Sequence, residues 1–420
     1  MFTAQLSDIP TAHVEHTCTL LKDGSVLITG GCDSEGEPQA TALRYHQGGW
    51  RQVAPLPSPS RRHTATALPS GELLVVGIGY ERGGACLYDP VADAWYPVAS
   101  PETPRVEHAA ALLEDGRVLI CGGREAALLE GLEPNDRRAV GPLSSVEIFD
   151  PTTSSWSEGP EMTEGRRKHG LYPLANGDLL AVGGKGLSKL GAKRRLKSNE
   201  RLDNAQQQWR SVGKLEYPEQ RLAPLADGRW LGQQGYIFDP SDDSWTEVEP
   251  GFRGGGAMVT LSDGRVACFG VRGDEVFDPA TERWTPCGEP TRLQRRGHSV
   301  VALSDEKLLL VGGTSGRGRG LPLAQELWVD LEPDAVIPPE ASLEPTGAEE
   351  LMKMLIENDK LELEDDADVA SLIERVDRIL RFGDNAGAKA SAMGRVLLDS
   401  DDVVDLYMED RDLRKLLQQW

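Results

Sequence analysis

The sequence predicts an all-β, seven-bladed β-propeller followed by a small all-α C-terminal domain. Three observations predict it: a histidine-to-glycine half-motif recurs seven times, an aromatic-to-tryptophan half-motif follows most copies, and the composition changes near residue 333.

The first half-motif appears as HTCTLLKDGSVLITGG (16–31), HTATALPSGELLVVGIG (63–79), HAAALLEDGRVLICGG (108–123), HGLYPLANGDLLAVGG (169–184) and HSVVALSDEKLLLVGG (298–313). Weaker copies are RLAPLADGRWLGQQG (221–235) and AMVTLSDGRVACFG (257–270). The turn position is held by Gly24, Gly71, Gly116, Gly177, Gly228, Gly264 and Glu306, at spacings of 36 to 61 residues, a period that suits propeller blades. An x-Gly dipeptide between two apolar runs marks a hairpin, because such turns need positive φ.

The second half-motif reads CLYDPVADAW (86–95), EIFDPTTSSW (147–156), ERLDNAQQQW (200–209), YIFDPSDDSW (236–245) and EVFDPATERW (275–284), with a looser LRYHQGGW (43–50). Asp-Pro presets a second turn. Each unit is therefore four short strands: a His strand, an apolar strand ending in Gly-Gly, an aromatic strand and a Trp strand.

The Gly-Gly doublet, the aromatic and the spaced Trp together resemble kelch-repeat β-propellers, over about four-fifths of the chain. The variant with His, D-G and FDP…W is most similar to bacterial-type kelch repeats. The seventh unit, ELWVDLEPD (326–334), lacks a Trp strand, while FTAQLSDIPTAHVEH (2–16) parallels WYPVASPETPRVEH (95–108). The N-terminal strand is thus expected to close the last blade, which removes an open edge. The expected domains are 1–332 for the propeller, 333–347 for a Pro-rich linker and 348–420 for an acidic helical domain.

In an up-and-down blade, the connections that hold the insertions share one face with the segments leading into each His strand. These carry basic clusters: SRRH (60–63), GRRKH (165–169), QRRGH (294–298) and KGLSKLGAKRRLKSNE (185–200). Arg105, Arg166, Arg253 and Arg295 share the position three before the repeat histidine or its equivalent. With Arg61, Arg167, Lys193 and Arg194 they form the candidate ligand-binding set. Arginines converging on a channel mouth suit capture of carboxylate or phosphate. The resemblance implies the same, since other kelch propellers bind acidic peptides on this face. The alternative is that these arginines satisfy carboxylates between repeats, such as Glu107 or Glu147.

The five repeat histidines, His16, His63, His108, His169 and His298, could ring the channel as metal ligands. One histidine per blade at one register is also what packing against a neighbouring blade's backbone produces, and no metal or other cofactor is expected. Cys18, Cys121 and Cys268 lie in strand positions and read as buried reduced thiols.

The net charge is −22, which argues against general nucleic-acid binding. No apolar stretch suits a signal peptide or a membrane span, so a cytoplasmic protein with no membrane partner is expected. Residues 333–420 hold 22 acidic and 10 basic side chains. Helical periodicity is read there over 347–359, 367–382, 386–398 and 401–420. The functional expectation is a non-catalytic recognition or scaffold protein. Its basic face would bind a protein, an acidic peptide or a small anion, and its helical tail would serve as a partner or regulatory module. The alternative is an epimerase- or oxidase-like propeller enzyme acting on an acidic sugar or similar anion.

Overall fold

The computed structural model describes residues 2–8, 14–33, 35–79, 83–126, 141–187, 193–217, 221–248, 256–270, 273–286, 295–305, 307–315, 323–329, 361–363 and 403–406. The chain divides into two compact units, Met1–Glu332 and Pro333–Trp420.

Among the described residues the first unit contains seven four-stranded antiparallel sheets. The third shows the plan: Ala109–Leu112, Val118–Cys121, Val146–Asp150 and Ser155–Gly159 pair in chain order. The innermost strands are Thr17–Leu20, Thr64–Ala67, Ala109–Leu112, Gly170–Pro173, Leu222–Pro224, Ala257–Thr260 and Ser299–Ser304. Neighbours touch from the first to the fourth and from the fifth to the seventh, and Ser299–Ser304 returns to Thr17–Leu20. The fourth and fifth are joined where the Leu222 amide donates to the Tyr172 hydroxyl at 2.8 Å. The outermost strand of the last sheet is Phe2–Asp8, paired with Leu323–Val329 in the register Phe2↔Val329 to Asp8↔Leu323. Both ends of the repeat region therefore meet in one sheet.

The apolar second strands explain the core. In Val118–Cys121 every residue is buried, because successive side chains point to opposite faces and both faces meet another sheet. Val118 and Ile120 pack with Leu74 and Val76 of the preceding blade, while Leu119 and Cys121 pack with Leu179 and Ala181 of the next. The closing interface is of the same kind, with Val26 and Ile28 against Leu309 and Val311.

The repeated Trp locks blades together by its donor. The indoles of Trp95, Trp156, Trp209 and Trp245 donate to the carbonyls of Ala54, Ala99, Pro160 and Val212, at 2.7 to 2.8 Å, each near the outer strand of the preceding blade. At the Asp-Gly turns only the glycine adopts positive φ. Gly116, at φ 87, donates to the Leu113 carbonyl at 3.0 Å. Asp115 accepts from the Arg117 amide at 3.0 Å. This is a type I turn followed by a left-handed glycine rather than a two-residue primed turn.

The expected fold class is corrected in the tail. No α-helix occurs among the described residues. The second unit's described elements are strands, Leu361–Leu363 and Val403–Leu406, paired antiparallel. The second of these falls inside the expected helix 401–420. Adjacent Val403 and Val404 are β-branched and stiff at χ1, which favours an extended strand over a helix. The rest of the expected tail helices, and the linker 333–347, lie outside the described residues. No helix among the described residues is long and apolar enough to cross a membrane.

Candidate functional site

Short backbone pairings tie two kinds of connection to one face. The segment before the third inner strand, Arg105–Val106, pairs with Arg124–Glu125 from the insertion after Gly123. Arg167 bridges to Lys185, Val14 to Cys32, and Arg295 to Ser315 in the same manner.

The residue just before each repeat histidine is left-handed: Glu15 (φ 58), Arg62 (φ 59), Glu107 (φ 60), Lys168 (φ 53) and Gly297 (φ 67). Positive φ is costly for residues with a Cβ and persists where surrounding bonds enforce it. Here the amide of Arg62 donates to the Glu15 carbonyl at 3.1 Å, Glu107 to Arg62 at 3.0 Å and Lys168 to Glu107 at 2.9 Å. These bonds form an arc across four blades along which charge alternates in sign. Arg62 bridges Glu15 and Glu107, each at 2.6 Å. Lys168 Nζ lies 3.4 Å from Glu107 and 3.7 Å from Glu15.

Glu107 is the hub. Its side chain is 0% exposed and meets Arg62, Lys168, Arg124 at 3.0 Å, and Arg167. Burial pushes its carboxyl pKa up, but Lys168, Arg124, Arg62 and Arg167 outweigh this and hold it below the usual value. Lys185 and Arg195 lie beside the cluster. The Lys185 pKa is lowered by burial first, then by Lys168, Arg167 and Arg195, with Glu107 opposing. Among the described residues two carboxylates thus face six cations, in a chain of net charge −22. Such a concentration attracts anions.

The sequence-predicted residues separate into distinct groups. Arg105 is wholly buried, with Nη2 2.5 Å from Glu147 and Nη1 bonded to the carbonyls of Ser145 at 2.8 Å and Gly122 at 3.1 Å. Arg166 repeats this with Glu200 at 2.5 Å, Gly183 at 2.8 Å and Ser198 at 3.1 Å. Both bind within their own blade and are closed to a ligand. Arg61 donates to the Gly36 carbonyl at 3.3 Å. Arg194 is half exposed and pairs with Glu164 at 2.5 Å. Among the set's described side chains, Arg167 alone joins the Glu107 hub. Lys193 and Arg295 are placed by backbone only, Lys193 opposite Leu187 and Arg295 opposite Ser315, and Arg253 lies outside the described residues. Sequence reasoning missed Arg62, Arg124, Lys168 and Lys185, and named Glu107 only in the alternative, as a carboxylate that arginines satisfy between repeats. The signal for three of the hub positions was the alternation of Glu, Arg, Glu and Lys immediately before the repeat histidines.

Three of the repeat histidines reach side chains of the preceding blade. His63 Nε2 lies 3.0 Å from Thr29 Oγ1 and 3.2 Å from Thr17 Oγ1, His108 Nε2 lies 2.8 Å from Thr64 Oγ1, and His169 Nε2 lies 3.3 Å from Cys121 Sγ. Burial lowers the His63 pKa to about 4, with a hydrogen bond to the Thr29 backbone opposing. Burial, then Arg105 and His63, lowers that of His108 to about 3. These rings are neutral and wedged between blades. Among the described residues no group of His, Cys, Asp and Glu is placed to hold a metal ion.

The first unit is thus a closed set of four-stranded sheets that carries the repeated His, Gly-Gly and Trp positions. A Kelch motif family model matches residues 105–163. The chain is similar to Kelch-like protein 36 of Bos taurus, 26% identical over 323 residues, covering 73% of this chain and 45% of that protein. The Rattus norvegicus form is 25% identical over 292 residues, covering 66% and 40%. A tRNA wybutosine-synthesizing protein 4 of Eremothecium gossypii is 30% identical over 152 residues, covering 34% and 21%. A solved structure, of YjhT, overlays with a TM-score of 0.49 at 15% identity, covering 75% of this chain and 94% of that one. The chain spans less than half the length of the curated relatives it matches.

Proposed function

We propose that this propeller is a protein-interaction scaffold whose loop face captures an acidic segment of a partner at the cluster around Glu107. The observation that carries the reading is the excess of cations there: Arg62, Arg124, Arg167, Lys168 and Lys185 crowd one buried carboxylate. Glu107 and Glu15 hold the side chains in place, and among the described residues these two carboxylates stand against six cations, so an incoming carboxylate meets a preorganised field. The similarity to Kelch-like proteins supports a scaffold role.

The test uses fluorescein-labelled hexaglutamate as probe and the full chain as receptor. Binding should weaken with salt, and the double variant Lys168→Gln, Arg195→Gln should bind about tenfold or more weaker, as loss of two nearby charges implies. Equal binding by wild type and variant, with circular dichroism unchanged, would sink the assignment. Arg105 and Arg166 are unsuited as probes, because their loss removes internal pairs.

A further inference from the structure

A row of like charges crosses the base of the hairpin Lys185–Leu187/Lys193–Arg195. Lys185 is directly opposite Arg195 on one side. On the other it bridges to Arg167: the Arg167 amide donates to the Lys185 carbonyl at 3.1 Å and the Lys185 amide to the Arg167 carbonyl at 2.8 Å. Directly opposed residues of an antiparallel pair point to the same face, so Arg167, Lys185 and Arg195 line one face side by side. Like charges so placed repel. Lys168 adds a fourth cation, and the carboxylate that acts on Lys185, Glu107, is already engaged by Arg62, Arg124, Arg167 and Lys168. Among the described residues no carboxylate lies within ion-pair distance of the half-buried Lys185.

We propose that Lys185 is a covalent acylation site whose Nζ accepts an acyl group from an acyl phosphate held by Arg167 and Arg195. The phosphoryl oxygens of such a reagent relieve the repulsion between the flanking guanidiniums, which suit bidentate phosphate capture. The adjoining carbonyl carbon is thereby held beside the central amine. The Nζ lone pair attacks that carbon and a C–N bond forms. The bond from the acyl carbon to the phosphate oxygen breaks, and inorganic phosphate leaves with the electron pair. The amine proton passes to the departing phosphate. Burial and the cations Lys168, Arg167 and Arg195 lower the Lys185 pKa, with Glu107 opposing, so more of the reactive free amine is present near neutrality than for an ordinary lysine. Acylation would remove one positive charge from the face, so the inference shares the cluster with the proposed function. It requires only a small anionic reagent, not a peptide.

The experiment treats the full chain with acetyl phosphate and follows acetylation of each lysine by peptide mass spectrometry. Lys185 should react about fivefold or more faster than the exposed Lys214, the effect of one favourable unit charge near the reacting centre. Added inorganic phosphate should slow Lys185 with acetyl phosphate but not with the uncharged N-hydroxysuccinimide ester of acetic acid. The Arg195→Gln variant should lose most of the preference. Acetylation of Lys185 no faster than Lys214, or a preference indifferent to phosphate, overturns the proposal. If hexaglutamate still binds in that case, the acylation site is refuted and the proposed function stands. Loss of hexaglutamate binding with the Lys185 preference intact refutes the proposed function alone.

Discussion

The guanidinium of Arg105 holds the carboxylate of Glu147 at 2.5 Å, with side-chain exposures of 0% and 6%. Glu147 in turn accepts from the amides of Glu102 at 2.6 Å and Thr103 at 3.1 Å, so the pair anchors the segment that enters the third blade. Replacing Arg105 with Met leaves a buried carboxylate without its cation, which costs about 3–5 kcal/mol. Arg194→Ala, which loses a half-exposed pair, should cost no more than about 1 kcal/mol. Chemical denaturation of the two variants measures the contrast; equal losses would show that the buried pair has no special structural weight.

The histidines set an acid limit on stability. His63 and His108 have pKa values lowered to about 4 and about 3 in the folded chain, against an ordinary value near 6.5. Between these values the unfolded chain binds protons that the folded chain refuses, so stability falls as pH falls. Each such histidine contributes a slope of about 1.4 kcal/mol per pH unit in that window. The Tm should therefore drop between pH 6.5 and 4.5, above the range where most carboxylates titrate. A flat Tm over that interval would contradict the buried, neutral rings.

The same residues show what was legible in the sequence. A run such as Val118–Cys121 must be covered on both faces, and its recurrence with an x-Gly turn and a spaced Trp already demands stacked sheets. The arginine position three before the histidine was equally visible, and the alternative reading, in which it satisfies carboxylates such as Glu147, already named the partner of Arg105. Glu147 and Glu200 open the aromatic strands of the same units, and those carboxylates engage Arg105 and Arg166 from within. The hub carboxylate went unread as a site because it lies one residue before a histidine, a position whose left-handed backbone no composition or period reveals. The tail was misread because a short apolar run such as VVDL fits either period, and two adjacent β-branched residues should have tipped it toward a strand.

The Gly-Gly doublet is required by the histidines. A Cβ on Gly122 would lie 2.3 Å from the Arg166 carbonyl and 2.9 Å from the His169 ring, and one on Gly123 would lie 2.9 Å from the Cβ of His108. Gly24, at φ 78, has nothing within 4 Å of such a Cβ. Gly24→Ala should thus cost only the backbone strain, about 1–2 kcal/mol, whereas Gly122→Ala adds a clash with backbone and should cost clearly more. Denaturation midpoints that rank the two alike would refute the packing account.

Closure by the N-terminal strand gives a further expectation. Removing residues 1–7 leaves the strand Leu323–Val329 as an open edge and unpairs nearly the whole ladder from Phe2↔Val329 to Asp8↔Leu323. The truncated chain should melt at lower temperature and aggregate more readily. A Tm equal to that of the full chain would mean the last sheet does not depend on its outer strand.

Glu107→Gln separates the stabilising and binding roles of the hub. The neutral amide leaves Arg62, Arg124, Arg167 and Lys168 facing one another, and loss of a buried charge partner costs about 3 kcal/mol or more. The wild-type carboxyl, held below its usual pKa, contributes stability that is fully present above the ordinary glutamate value. That contribution is lost as pH falls through the folded one, and the variant should lack this acid-dependent component. The same change makes the cluster more positive, so inorganic phosphate should raise the Tm of Glu107→Gln more than that of wild type, as a ligand bound only by the folded state does. Hexaglutamate should likewise bind the variant more tightly. If phosphate stabilises both chains equally and hexaglutamate affinity is unchanged, the cations around Glu107 form a closed internal network, and the loop face loses its claim to an acidic partner.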